Sequence, residues 1–195
     1  AWDPSLTLSV NISPVQLRDP WFSQKLLKLL VEANFPPNRL EIEITESCLH
    51  ENVGLVRSLI TSLKNQGIQI SLDDFGTGYS SLSQLRSLPF DRIKIDRSFI
   101  GALDDGKESQ TIVEAIMSLG HGLGLPITAE GVESERLRDL LQGLGSFKAQ
   151  GYHFGKPAPA QDVYLRLGKL GLLHEKTLVI NRRADEEAKP DSNAA

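Results

Sequence analysis

A chain of 195 residues with 40% hydrophobic content is long enough to bury one sizeable core. Its net charge of −4 supplies no bulk basic field, which argues against duplex nucleic acid or an anionic membrane surface as partner, so a phosphate-bearing ligand would need a local site. The single cysteine, Cys48, excludes an internal disulfide and reads as a small buried residue in a reducing, cytoplasmic setting, and no apolar stretch approaches the length of a membrane span.

Strand and helix patterns alternate along the chain. "LTLSVNIS" alternates with period two, and "DPWFSQKLLKLLVEANFPP" follows as a helix with Asp19 as N-cap, Pro20 in the first turn and a Pro pair beyond its end. "LEIEIT" is the next strand, and "ENVGLVRSLITSLKNQG" is a helix that Gly67 can close. "IQISLDD" precedes a short helix beginning near Ser80, "RIKID" is a strand, and "SQTIVEAIMSLGHGLG" is a helix ending in glycines. "PITAE" leads into "ESERLRDLLQGLG", and "FKAQ" leads, after a loop, into "AQDVYLRLGKLGLL". These roughly six strand-then-helix units predict a parallel α/β protein of the (β/α)8, TIM-like barrel type, about two units short of closure. Residues 1–180 read as one domain, and residues 181–195 as a disordered polar tail.

Strand parity refines this picture. Leu40, Ile42 and Ile44 oppose Glu41, Glu43 and Thr45; Ile68, Ile70 and Leu72 oppose Gln69, Ser71 and Asp73; Ile93 and Ile95 oppose Arg92, Lys94 and Asp96. The first strand likewise sets Leu6, Leu8, Val10 and Ile12 against Thr7, Ser9 and Asn11. An open sheet covered by helices on both faces would give continuously apolar strands instead. One apolar and one polar face fits a barrel with helices outside and a polar interior, in which a buried carboxylate such as Glu41 needs a partner like Arg92 or a metal.

The polar face also has a direction. Asn11, Glu43, Asp73 with Asp74, Lys94, Glu130 and Gln150 all lie at or near the C-terminal ends of strands, which a barrel gathers onto the rim that carries active sites. By itself "SLDDFGTGYSSL" reads as a turn; the convergence of the other strand ends favours a site. An all-oxygen donor set suits Mg²⁺ or Mn²⁺, whereas His50, His121, His153 and His174 show no ligand spacing. Successive strand side chains diverge, so Asp73 and Asp74 face one site only if the chain turns sharply after Asp73, as Phe75, Gly76 and Gly78 would allow. The two carboxylates would straddle two cations about 3.5–4 Å apart, an arrangement suited to in-line displacement at a phosphoryl group. Lys94 adds a positive point charge beside the attacking water or a phosphate oxygen. Phosphodiester hydrolysis is the class that follows.

"VNIS", "EIEITES", "SLDDFGTGYSSL", "FDRIKIDRSFI", "ITAEGVE" and "QGYHFGKPAPA" occur in the order and with about the spacing of the EAL-domain family, which the sequence resembles from residue 6 to about 171. The resemblance implies a modified (β/α)8 barrel that hydrolyses cyclic di-GMP to linear pGpG with two Mg²⁺ or Mn²⁺ ions. It implies that Asn11, Glu43, Asp73 and Asp74 are metal ligands, with Asp73 bridging. By the same resemblance Lys94 contacts the nucleophilic water, Glu130 serves the metal and water cluster, and Gln150 and Asp96 stand on the substrate side or behind the ligands. Glu46 matches a carboxylate that anchors the loop from Asp74 to Ser80, including Gly76, Thr77 and Gly78, and couples dimerisation to metal binding. A homodimer and an upstream sensory or GGDEF domain are further implications.

The family's Glu-Ala-Leu motif lies on a strand ahead of the region matching "LTLSVNIS" and is not in this sequence; "VEAIMS" at residues 113–118 falls in a helical pattern far from that position. The expectation is a piece of a longer chain, itself either cytoplasmic or membrane-tethered. The alternatives are a non-catalytic cyclic di-GMP receptor and a dimerisation module.

Overall fold

Period-two alternation becomes a sheet with one apolar face. The structure, a computed structural model, describes residues 2–50, 53–78, 82–145 and 147–173. His174, Ser80 and the polar end from residue 181 lie outside the described residues. The strands are β1 (Leu8–Asn11), β2 (Leu40–Thr45), β3 (Gln69–Phe75), β4 (Arg92–Ile95), β5 (Ile127–Ala129) and β6 (Lys148–Ala149). They form one six-stranded sheet in chain order, parallel at every pairing, which curls as half of a barrel. Between them run α1 (Pro14–Leu17), α2 (Phe22–Glu32), α3 (Val53–Asn65), α4 (Leu82–Ser87), α5 (Arg97–Gly101), α6 (Lys107–Leu123) and α7 (Glu135–Leu144). The "VEAIMS" stretch lies within α6.

Ile42, Ile44, Ile70, Leu72, Ile93 and Ile95 are all fully buried, as are Ile60 and Leu63 of α3 and Val113 of α6. Each such side chain contributes about 1.5–3 kcal/mol of hydrophobic stabilisation, so the outer face of the sheet carries the core. β1 departs from the expected pattern: Leu8 and Val10 are 45% and 38% exposed. Among the described residues it is an edge strand of the sheet, paired on one side only, with β2.

The start of α2 also differs from expectation. The Asp19 carboxylate accepts from the Trp21 N–H at 2.9 Å and pairs with Lys25 at 2.7 Å, so it closes a turn ahead of the helix, and Trp21 takes the N-cap position. Gly67 follows α3 with φ +89°, as a helix-closing glycine should. Among the described residues no helix is long and apolar enough to cross a membrane.

By contact density the chain divides into two units, Thr7–Lys156, which holds the sheet, and Ala1–Leu6 with Pro157–Ala195. In the second, Trp2 bridges Leu173, the Asp3 N–H donates to the Leu172 carbonyl at 3.0 Å, and α8 (Ala160–Lys169) follows Pro159.

Candidate metal centre on the strand ends

The inner face of the sheet is built in two tiers. Register and side-chain period place Glu43, Asp73 and Lys94 on the concave side, each two residues beyond Glu41, Ser71 and Arg92. Glu130 stands in the same relation to Thr128 just past the end of β5. Lys94, 3% exposed, is the hub of the upper tier. Its Nζ lies 2.7 Å from Glu43 Oε2, 3.1 Å from Asp73 Oδ1 and 2.5 Å from Glu130 Oε1. Burial pushes the ammonium pKa down, but hydrogen bonds and charge from Glu130 and Glu43 outweigh it and hold the group above its ordinary value. In the lower tier Arg92 Nε sits 3.4 Å from Glu41 Oε2, the partnership expected for a buried carboxylate, and Arg92 Nη1 donates to Thr128 Oγ1 at 3.5 Å.

Asp73 and Asp74 do share one site, by a different device from a strand end. β3 continues through Phe75, while Asp74 adopts a left-handed φ of +54° and the register to β4 shifts between Leu72 and Phe75. A non-glycine residue in that region is uncommon and marks a local distortion, here a bulge that re-aims one side chain. Carboxylate oxygens of Asp73, Asp74 and Glu130 consequently lie within 4.8 Å of one another. Burial, then the charges of Asp73 and Asp96, raise the pKa of Asp74 against the pull of Lys94. Glu130 is raised by burial, with the Lys94 hydrogen bond opposing and Asp73 adding to the rise. Acids crowded so that protons are favoured are acids that a divalent cation would relieve, and a set of hard carboxylate oxygens fits Mg²⁺ or Mn²⁺.

The loop after Asp74 is fastened by Glu46, 2% exposed at the end of β2. Its Oε2 accepts from the N–H of Gly76 at 2.9 Å and of Gly78 at 3.1 Å. Thr77 Oγ1 donates to the Asp74 carbonyl at 2.8 Å, closing the turn. Gly76 carries φ +100°, which favours glycine, and a Cβ at Gly78 would stand 3.0 Å from the Glu46 carboxyl carbon, close enough that the carboxylate would have to shift.

The remaining candidates are placed less centrally. Asn11 stands opposite Glu43 in the β1–β2 register. Gln150 is exposed just beyond β6, tied by its backbone to Ala129 and Val132. Asp96 caps α5, accepting from the Ser98 N–H at 3.0 Å; burial pushes its pKa up, but the Ser98 hydrogen bonds prevail and lower it. Thr128 was not legible as a site neighbour; its parity with Glu130 is the signal that could have found it.

Residues 1–157 match the family model of the EAL domain. The chain belongs to the EAL domain family. Cyclic di-GMP phosphodiesterase PdeR of Escherichia coli (strain K12) is 44% identical over 156 residues, which cover 80% of this chain and 24% of PdeR. The solved EAL domain of Mycobacterium smegmatis DcpA superposes with a TM-score of 0.79 at 40% identity, covering 84% of this chain and 73% of DcpA's. The manganese and cyclic di-GMP complex of Klebsiella pneumoniae BlrP1 gives a TM-score of 0.72 at 30% identity, covering 78% of this chain and 39% of BlrP1's. The six parallel strands are thus those of the TIM-like EAL fold. This EAL chain spans roughly a fifth to a quarter of the length of several of the curated relatives it matches.

Proposed function

We propose that this EAL domain hydrolyses cyclic di-GMP to linear pGpG, with two Mg²⁺ or Mn²⁺ ions held by Asn11, Glu43, Asp73, Asp74 and Glu130. The observation that carries the reading is the convergence of Asp73, Asp74 and Glu130 within 4.8 Å, beside a lysine bonded to three carboxylates. PdeR is named a cyclic di-GMP phosphodiesterase, and BlrP1 was solved with manganese and the dinucleotide. When bound, the ions supply charge that activates water and offsets the charge gathering on the phosphoryl group.

The chain's own residues do the rest. The carboxylates fix Lys94 as a positive point beside the attacked phosphate, where it favours negative charge developing on oxygen. Glu130, bonded to Lys94, helps fix that ammonium beside the ions. Water adds to phosphorus, the bond from phosphorus to the 3′ oxygen breaks, and the phosphate stays on the 5′ oxygen of the linear product. In this reading Asp96 and Gln150 stand on the substrate side of the cluster, and Asp73 would serve both ions as a ligand. Loss of any one acid would suffice for a receptor, so the retention together of Glu43, Asp73, Asp74 and Glu130 favours turnover over the receptor and dimerisation alternatives.

The same proposal takes residues 1–180 as one EAL-like domain with a polar tail, working in the cytoplasm as a homodimer within a longer chain that carries a sensory or GGDEF domain. The full-length protein incubated with cyclic di-GMP and Mn²⁺ is expected to yield pGpG by chromatography, and chelation of the cation is expected to stop it. Tight binding of cyclic di-GMP without pGpG would select the receptor.

A further inference from the structure

The lower tier raises a question that the proposed hydrolase reaction leaves open. Each strand repeats its upper residue two positions earlier, yet the composition changes: Glu43, Asp73, Lys94 and Glu130 above become Glu41, Ser71, Arg92 and Thr128 below. Above, three carboxylates meet one ammonium, and Asp74 adds a fourth acid. Below, one carboxylate meets one guanidinium, and the other two positions are hydroxyls. The upper tier is therefore in anionic excess and the lower one is balanced.

The lower pair spans β3. Glu41 on β2 stands opposite Gln69 of β3 and Arg92 on β4 stands opposite Ser71, so the two long side chains meet over β3 on a diagonal between those positions. Ser71, beside Arg92 in the register, is fully buried with its Oγ unpartnered. Both members of the pair are nearly enclosed, with side chains 12% and 11% exposed. A buried carboxylate stripped of its cation is strongly destabilised and recruits another within reach. Among the described residues the other cation held inside the sheet is Lys94.

We propose that Arg92 is a positioning residue for the site: by holding Glu41 it keeps Lys94 committed to Glu43, Asp73 and Glu130. Arg92 touches neither substrate nor cation, and its effect runs through Lys94. The inference rests on the hydrolase reading for its kinetic consequence but not for its cation-binding consequence.

The test uses the full-length protein, with kcat and KM for cyclic di-GMP and calorimetric titration of Mn²⁺ alone. Arg92→Met is expected to lower kcat about tenfold or more with KM within about twofold, and to tighten Mn²⁺ several-fold, because Lys94 leaves the carboxylates it shares. General loosening of the fold would instead weaken Mn²⁺. Glu41→Gln removes the competing charge and should keep kcat within about threefold; Glu41→Gln with Arg92→Met should restore both readouts, and Arg92→Lys should retain them. Unchanged kcat and Mn²⁺ affinity in Arg92→Met overturns the assignment, as does weaker Mn²⁺ binding that the double variant fails to rescue. Should Arg92→Met not fold, loss of kcat in Glu41→Gln overturns it equally. If wild type forms no pGpG, the hydrolase reading fails while the Mn²⁺ titrations still decide the role of Arg92.

Discussion

Asp73→Asn is expected to reduce turnover of cyclic di-GMP by well over about 10²-fold while leaving the fold intact. Replacing groups that merely support metal ligands typically costs about 10–100-fold, and Asp73 stands among the ligands themselves. The substitution keeps the oxygen that accepts from the Asp74 N–H at 3.1 Å, so the bulge retains its local bond. It removes one of the charges that crowd Asp74 and Glu130, both of which hold protons more readily because of Asp73. Without cation, thermal stability should therefore be equal to or slightly above that of the wild type. With Mn²⁺, the wild type should gain stability by mass action and the variant much less, which thermal scans at increasing Mn²⁺ would read. A variant that cleaves normally would remove Asp73 from the mechanism.

How much of this was legible follows from what each residue's signal depends on. The alternation in "LEIEIT" and "RIKID" depends only on the two-residue period of a strand, so the outward Ile42, Ile44, Ile93 and Ile95 and the inward Glu41, Glu43, Arg92 and Lys94 could be read directly. Burial then forces partnership: charge left Arg92 or a metal as the partner of Glu41, and the curled sheet supplies Arg92. The bulge at Asp74 could not be read, because Asp followed by Phe and Gly suits the end of a strand as well as a distortion within it. Nor could the helix start after Asp19: a carboxylate two residues before Trp21 and six before Lys25 serves a turn and an ion pair as readily as a cap. Lys94 illustrates the limit differently. Its place on a strand end was visible, but its three simultaneous carboxylates depend on β2, β3 and the residue after β5 arriving at one point, which only the curled sheet supplies.

The loop beyond Asp74 gives the second large effect. Glu46→Ala is expected to lower activity by about 10–100-fold and the melting temperature by several degrees. One buried carboxylate oxygen serves two N–H groups on a segment 30 and 32 residues further on, and each charge-assisted bond is worth about 1.5–3 kcal/mol before water replaces it. Gly76 and Gly78 are exposed, so water recovers part of that loss, and the melting temperature should fall less steeply than activity. Activity suffers more because Asp74 is re-aimed by the same turn: its carbonyl accepts from Thr77, whose neighbours on both sides are fixed by Glu46. Glu46→Gln keeps an acceptor without the charge and should fall between Ala and wild type. Gly78→Ala approaches from the other side of the same contact, since its new methyl group would press on the Glu46 carboxylate. Both Glu46→Ala and Gly78→Ala are expected to bind Mn²⁺ more weakly in a titration of cation alone; wild-type affinity in both variants would show that the loop is fastened for reasons unconnected with the metal centre.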